Sequence, residues 1–162
     1  MHVTLRAGLR NLRTQQVART LLGGLRDSNR DWFRIVHYSV QENHVHLIVE
    51  ADDSATLASG VRGLMVRVAR RVNRLLHRQG KFWADRWHGR DLEGPRQVRN
   101  ALVYVLHNHK KHVSGVSLDP LSSAPWFDGF ATAIPRGFRS VGPPCVATAK
   151  TWLLRNGWRR WG

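Results

Sequence analysis

The sequence predicts an α+β domain of the ferredoxin-like, split β-α-β kind: an antiparallel sheet with helices packed on it, then an extra helix and a tail. Three observations carry this. The apolar period switches between two and about 3.6 residues in the order β, α, β, β, α, β, α. A short polar break, "EN", joins two strand-like runs and marks an antiparallel hairpin. The chain has 162 residues, 42% of them hydrophobic, enough to bury one core.

The elements follow in order. "HVTLR" (2–6) alternates as a short strand. Over 14–29, Thr14 is a helix cap and Val17, Leu21, Leu22 and Leu25 recur at helical spacing, with Gly23 and Gly24 weakening the pattern. "DWFRIVHYSVQ" (31–41) is β-branched and aromatic, a strand in which Tyr38 shares a face with Val36 and Val40 and reads as core, as does Trp32. "QENHVHLIVE" (41–50) supplies the return strand.

Ser54 is expected to cap a long amphipathic helix with an apolar stripe from Leu57 to Leu76 and arginines largely elsewhere, Arg71 and Arg74 among them. "KFWADRWHGRDLEG" (81–94) reads as a strand with loops at both ends, and Pro95 suits the first turn of a further helix. After His112, Pro, Gly and Ser become frequent. The expected division is therefore a domain over 1–112 and a basic, Trp-rich extension over 113–162 that ends in a short helix and either packs on the domain or contacts DNA.

Charge narrows the partner. Lys+Arg number 26 against 11 Asp+Glu, a net charge of +15, which suits a polyanion such as nucleic acid. Cys145 stands alone, so neither an internal disulfide nor a cysteine-based zinc site is available. No apolar run approaches the roughly 18 residues that span a bilayer, and the N-terminal segment lacks a signal-type apolar stretch, so the chain reads as soluble and cytoplasmic.

In a strand, His44 and His46 point to one side while Val45, Leu47 and Val49 point to the other. The two imidazoles are either ordinary polar-face residues or a pair able to share a divalent ion. On the helix from Pro95, Val98, Ala101, Leu102 and Val105 form the buried stripe. Tyr104 lies toward one edge, with Asn108 one turn on. Tyr104 is then a nucleophile or an amphipathic border residue, and the Asn108 amide oxygen is a possible ligand for a hard cation. Lys110 and Lys111 follow, placed to meet phosphates.

"SVQENHVHLIVEAD", "GKFWADRWHGRDL" and "VRNALVYVLHNHKKH", in that order, resemble the metal-binding strand, connecting strand and tyrosine helix of the single-tyrosine HUH transposases of insertion sequences. The likeness is greatest to the relatives associated with repetitive extragenic palindromes, and it covers about residues 2–112, with a weaker echo in "TWLLRNGW". It implies His44 and His46 as ligands of a divalent metal, Mg²⁺ or Mn²⁺, with Asn108 as the third, and Tyr104 as the nucleophile that forms a 5′-phosphotyrosine. The implied partner is single-stranded or hairpin DNA, and the implied state is monomer or homodimer. Many relatives read Asn-Pro after the tyrosine, where this chain has "HNHKKH", so His107 and His109 compete with Asn108.

Outside this set, Trp83 and Trp87, flanked by Arg86 and Arg90, and Trp158 and Trp161 beside Arg159 and Arg160 are candidates for base stacking and phosphate contact. Glu50 shares the histidine face as a supporting or a plain surface residue; His88 and His112 are unassigned polar residues. Two other functions compete: a hydrolytic metal nuclease, and a non-catalytic nucleic-acid-binding module. Against the module, no strand carries the aromatic signature of RNA-recognition motifs.

Overall fold

A computed structural model of the chain describes residues 1–9, 11–107, 118–130 and 141–161. The elements are β1 (His2–Arg6), α1 (Gln15–Arg26), β2 (Phe33–Val40), β3 (His44–Ala51), α2 (Ser54–Leu75), β4 (His88–Arg90) and α3 (Pro95–His107). The C-terminal part adds α4 (Trp152–Arg155) between two 3₁₀ turns, Ala124–Trp126 and Gly157–Trp161. The strands form one antiparallel sheet in the order β2-β3-β1-β4, which is the split β-α-β arrangement.

Alternation gives the sheet two different faces. Val3, Leu5, Tyr38, Val40, Val45, Leu47 and Val49 pack in one cluster with the buried stripes of α1 and α2. On the other face, Val36 and Ile48 pack with Val98, Ala101, Leu102, Val105 and Leu106 of α3, and with Leu154 and Trp158. The helical layers approach closely where glycine permits it. A Cβ on Gly24 would lie 2.7 Å from Val68, and one on Gly60 would lie 2.3 Å from the Phe33 ring. Gly24, one of the two glycines that weaken the α1 pattern locally, is therefore what lets α1 seat on α2.

Several local expectations are corrected. Asp53, not Ser54, caps α2: its carboxylate accepts from Thr56 N at 2.7 Å while Thr56 Oγ1 accepts from Asp53 N at 3.0 Å, a reciprocal box. Thr14 stands at the cap of α1 without a side-chain cap bond. The strand expected within 81–94 is three residues long, because Phe82 and Trp83 leave the surface for the core, where Trp83 Nε1 donates to Met65 O at 2.8 Å. Trp32 is 38% exposed; the neighbouring Phe33 takes the core position.

The described residues beyond α3 finish the domain. Ser123 N donates to Tyr38 O, Val40 N to Leu121 O and Ala147 N to Ile35 O, so this segment covers the outer edge of β2. Asp119, 1% exposed, accepts a two-pronged ion pair from Arg13 at 2.7 and 2.9 Å. Glu50 is buried rather than on the surface. It accepts from the backbone N–H groups of Lys150 and Thr151, from the Thr151 hydroxyl and from Arg34. Burial opposes its charge, yet these donors together hold its carboxyl below the usual carboxylate range. Trp158 is buried and donates to Leu154 O at 3.1 Å, so it docks on the fold.

Candidate active site

The register of the central strands decides which side chains meet. His46 stands opposite Thr4 on β1, Thr4 opposite His88 on β4, and the next row pairs Ile48 with His2 and His2 with Arg90. The α3 face of the sheet therefore carries a polar band running from β3 across β1 to β4. The apolar stripe of α3 seats the helix on Ile48, and Tyr104, at the stripe's edge and 40% exposed, comes over that band.

Tyr104 Oη lies 3.5 Å from His46 Nε2, at the outer limit of a hydrogen bond, with the two rings edge to face at 4.9 Å. On the far side of the imidazole, His46 Nδ1 is 3.2 Å from Thr4 Oγ1 and 3.3 Å from His2 Nε2. His46 is 3% exposed, so its ring is clamped between β1 and α3. His44 stands beside it, ring centroids 4.7 Å apart, and its Nδ1 faces Asn43 Oδ1 at 2.7 Å. Because a side-chain carbonyl only accepts, that contact puts the His44 proton on Nδ1 and the lone pair on Nε2. Each imidazole thus has an oxygen holding Nδ1, the arrangement that orients a histidine to ligate through Nε2. Burial, and then the nearby terminal ammonium, hold His2 below the ordinary histidine range.

The donor chemistry suits a borderline or hard divalent ion but is incomplete. Among the described residues no group of three or more His, Cys, Asp or Glu side chains is arranged to hold a metal. Asn108 and His109, the alternatives for a third ligand, lie outside the described residues, as do Lys110, Lys111 and His112. His107 is described, and its ring stacks edge to face on Phe130 at 5.5 Å.

The proposed phosphate-contacting arginines are dispersed. Arg90 lines a cavity of about 290 Å³ beside Tyr104, and Arg86 is exposed in the loop before β4. Arg71 and Arg74 belong to α2, which packs on the opposite face of the sheet, and Arg71 pairs there with Asp27 at 2.7 Å. Arg159 pairs with Asp128 at 2.8 Å and stacks on Trp158, and Arg160 lies over Trp152. Trp87 packs partly buried against the core, and the Trp161 side chain is outside the described part.

His2 and Thr4 are the site residues that sequence reasoning missed. The signal was present: "HVTLR" alternates, and in a split β-α-β sheet β1 lies beside β3, so the polar residues of β1 must border the histidines.

No curated protein and no solved structure matches the chain. A family model described as "Transposase IS200 like" matches residues 2–108. That span begins at the histidine of β1, takes in both histidines of β3 and ends just beyond Tyr104. Since the match covers most of the 162 residues, the chain belongs to the IS200-like family of single-tyrosine transposases.

Proposed function

We propose that the protein is a metal-dependent single-strand DNA endonuclease and strand transferase, acting near DNA hairpins with Tyr104 as its nucleophile. The observation that carries this reading is the 3.5 Å approach of Tyr104 Oη to His46 Nε2, from elements 58 residues apart in sequence. A phenol brought to the edge of an imidazole pair is what attack on a phosphate held at that pair requires.

In the proposed step Tyr104 Oη attacks phosphorus and the bond to O3′ breaks. One ester replaces another: a 5′-phosphotyrosine forms, O3′ leaves as a hydroxyl, and the proton given up by the phenol balances the one that O3′ gains. The reverse attack by the 3′-hydroxyl of another strand rejoins DNA with no outside energy source. A divalent ion, Mg²⁺ or Mn²⁺, held through Nε2 of His44 and His46 with Asn108 as third ligand, would supply charge neutralisation at the scissile phosphate. Thr4 and His2 hold the His46 ring in place, and Arg90 adds positive charge beside the nucleophile. Because Tyr104 reaches His46 of its own chain, the reading includes a site complete within one chain, as in the palindrome-associated relatives.

The test is incubation with end-labelled single-stranded hairpin DNA and Mg²⁺, followed by a denaturing protein gel. Label retained on the protein and absent with Tyr104→Phe is the expected result. Cleavage without an adduct, undiminished in Tyr104→Phe, would sink the proposal in favour of hydrolysis. His44→Ala and His46→Ala are expected to abolish cleavage while hairpin binding persists.

A further inference from the structure

We propose that the cavity between β4 and α3 is a subsite for a single nucleotide adjoining the scissile phosphate, and that Asn100 reads its base. This rests on the Tyr104 mechanism above and adds a specificity determinant to it. The cavity measures about 290 Å³ and has Tyr104 in its wall. That is the small end of the roughly 300–1,000 Å³ typical of small-molecule sites. It admits one nucleotide and not a duplex.

Its lining suits a base with a phosphate. Gln97, Asn100 and Tyr104 succeed one another at spacings of three and four on α3, so their side chains form one row along the cavity. Gln97 Oε1 accepts from Glu93 N at 2.8 Å, which fixes that side chain and leaves its NH₂ as the outward donor. Asn100 is exposed and makes no hydrogen bond among the described residues, so its amide keeps both a donor and an acceptor. A planar amide with both can bond two groups on one base edge, which is how asparagine distinguishes bases. Leu92 and Ala101 offer an apolar surface for the face of the ring. Arg90, exposed and without an ion pair among the described residues, supplies charge for the phosphate.

The neighbouring cavities lack this character. One on the β2 side includes Asp128, and one beside the start of α2 includes Glu50, Asp53 and Asp91. Of these three cavities, the one at Tyr104 has no carboxylate in its lining to repel a phosphate.

The experiment uses the full chain with hairpin DNA whose single-stranded arms are randomised, and Mg²⁺. DNA held on the protein begins at the cleaved bond and the released DNA ends there, so sequencing both reveals the two adjoining bases. The wild-type protein is expected to prefer a base at one of these positions. Asn100→Ala should reduce that preference by about tenfold while preferences at other positions persist. Alanine is the better helix former at this exposed position, so loss of fold is not expected. Arg90→Ala should lower adduct yield for every base and flatten its salt dependence. Adducts without preference at either adjoining position, or a preference unchanged in Asn100→Ala, would overturn the subsite and leave the Tyr104 mechanism standing. Absence of any wild-type adduct would overturn the mechanism and the subsite with it.

Discussion

The two faces of this sheet are built from the same strands and behave as different materials. The face under α1 and α2 is closed and apolar: Leu5, Val45, Leu47, Val49 and Tyr38 are fully buried there. The face under α3 carries His2, His37, His44, His46 and His88 beside a thinner apolar patch. Each face holds one of the two tyrosines. Tyr38 is 0% exposed, its phenol pushed far up by burial and then by the adjacent Cys145 thiol. Tyr104 is 40% exposed and stands against His46. A side chain becomes chemically useful here through the face it is given, because alternation assigns one face to stability and leaves the other to hold polar groups.

The strongest test of that division exchanges the tyrosines' hydroxyls for hydrogen. Tyr104→Phe should remove protein–DNA adduct altogether, a loss of at least about a thousandfold, since no other nucleophile replaces it. Tyr38→Phe should leave adduct formation within about twofold on the same gel, since the ring stays packed and only a buried hydroxyl is lost. Equal losses in both variants would mean that the two faces are not functionally distinct.

A second test asks whether the polar face and α3 of one chain suffice. Tyr104→Phe and His46→Ala proteins, each expected to be inactive alone, are mixed and assayed for adduct. A site complete within one chain predicts no recovery, because every molecule lacks one part. Recovery on mixing would show that Tyr104 serves the histidines of a second copy, and would break the single-chain reading.

The order of elements was legible because period and punctuation are local properties, and the histidine pair and Tyr104 were legible because each falls at a readable position on its own element. What crosses between elements was not. Glu50 looked like a surface residue because its partners, Lys150 and Thr151, lie a hundred residues on. Trp83 and Trp32 exchanged their expected roles, because which tryptophan enters the core depends on how the loop before β4 turns inward. Asp53 and Ser54 are both good caps, and only the reciprocal bond with Thr56 distinguishes them.

The polar face should also carry an acid sensitivity that the apolar face lacks. His37 faces Phe127 and Ser123, and burial, partly opposed by Asp128, lowers its pKa from 6.5 to about 4. The unfolded chain therefore binds the proton first as pH falls. Full stability is present above about pH 6.5 and is lost progressively toward pH 4, where the loss levels off at on the order of 3 kcal/mol from this group. His2 is shifted in the same direction, so the slope is assigned by a variant. Denaturant midpoints measured from pH 7 to pH 4 should fall less steeply in His37→Gln than in the parent. An identical slope would remove His37 from the account.

The smallest effect tests how the polar face holds its histidines. Thr4 Oγ1 is 3.2 Å from His46 Nδ1, and valine has nearly the same shape without the oxygen. Thr4→Val should therefore keep the strand and the fold, since valine favours strands at least as well as threonine. It should loosen the imidazole's orientation, because one of the two contacts described at Nδ1, the hydroxyl, is lost while His2 stays. Loss of a group that orients a ligating histidine costs about 10- to 100-fold in metal affinity. With His2 retained, about tenfold is expected, read as a rightward shift in Mn²⁺ binding by calorimetry with an unchanged circular dichroism spectrum. Thr4→Ser, which restores the oxygen, should recover most of that shift. A Thr4→Val protein that binds Mn²⁺ as tightly as the parent would show that the His2 and Tyr104 contacts, and not the Thr4 oxygen, set the His46 ring.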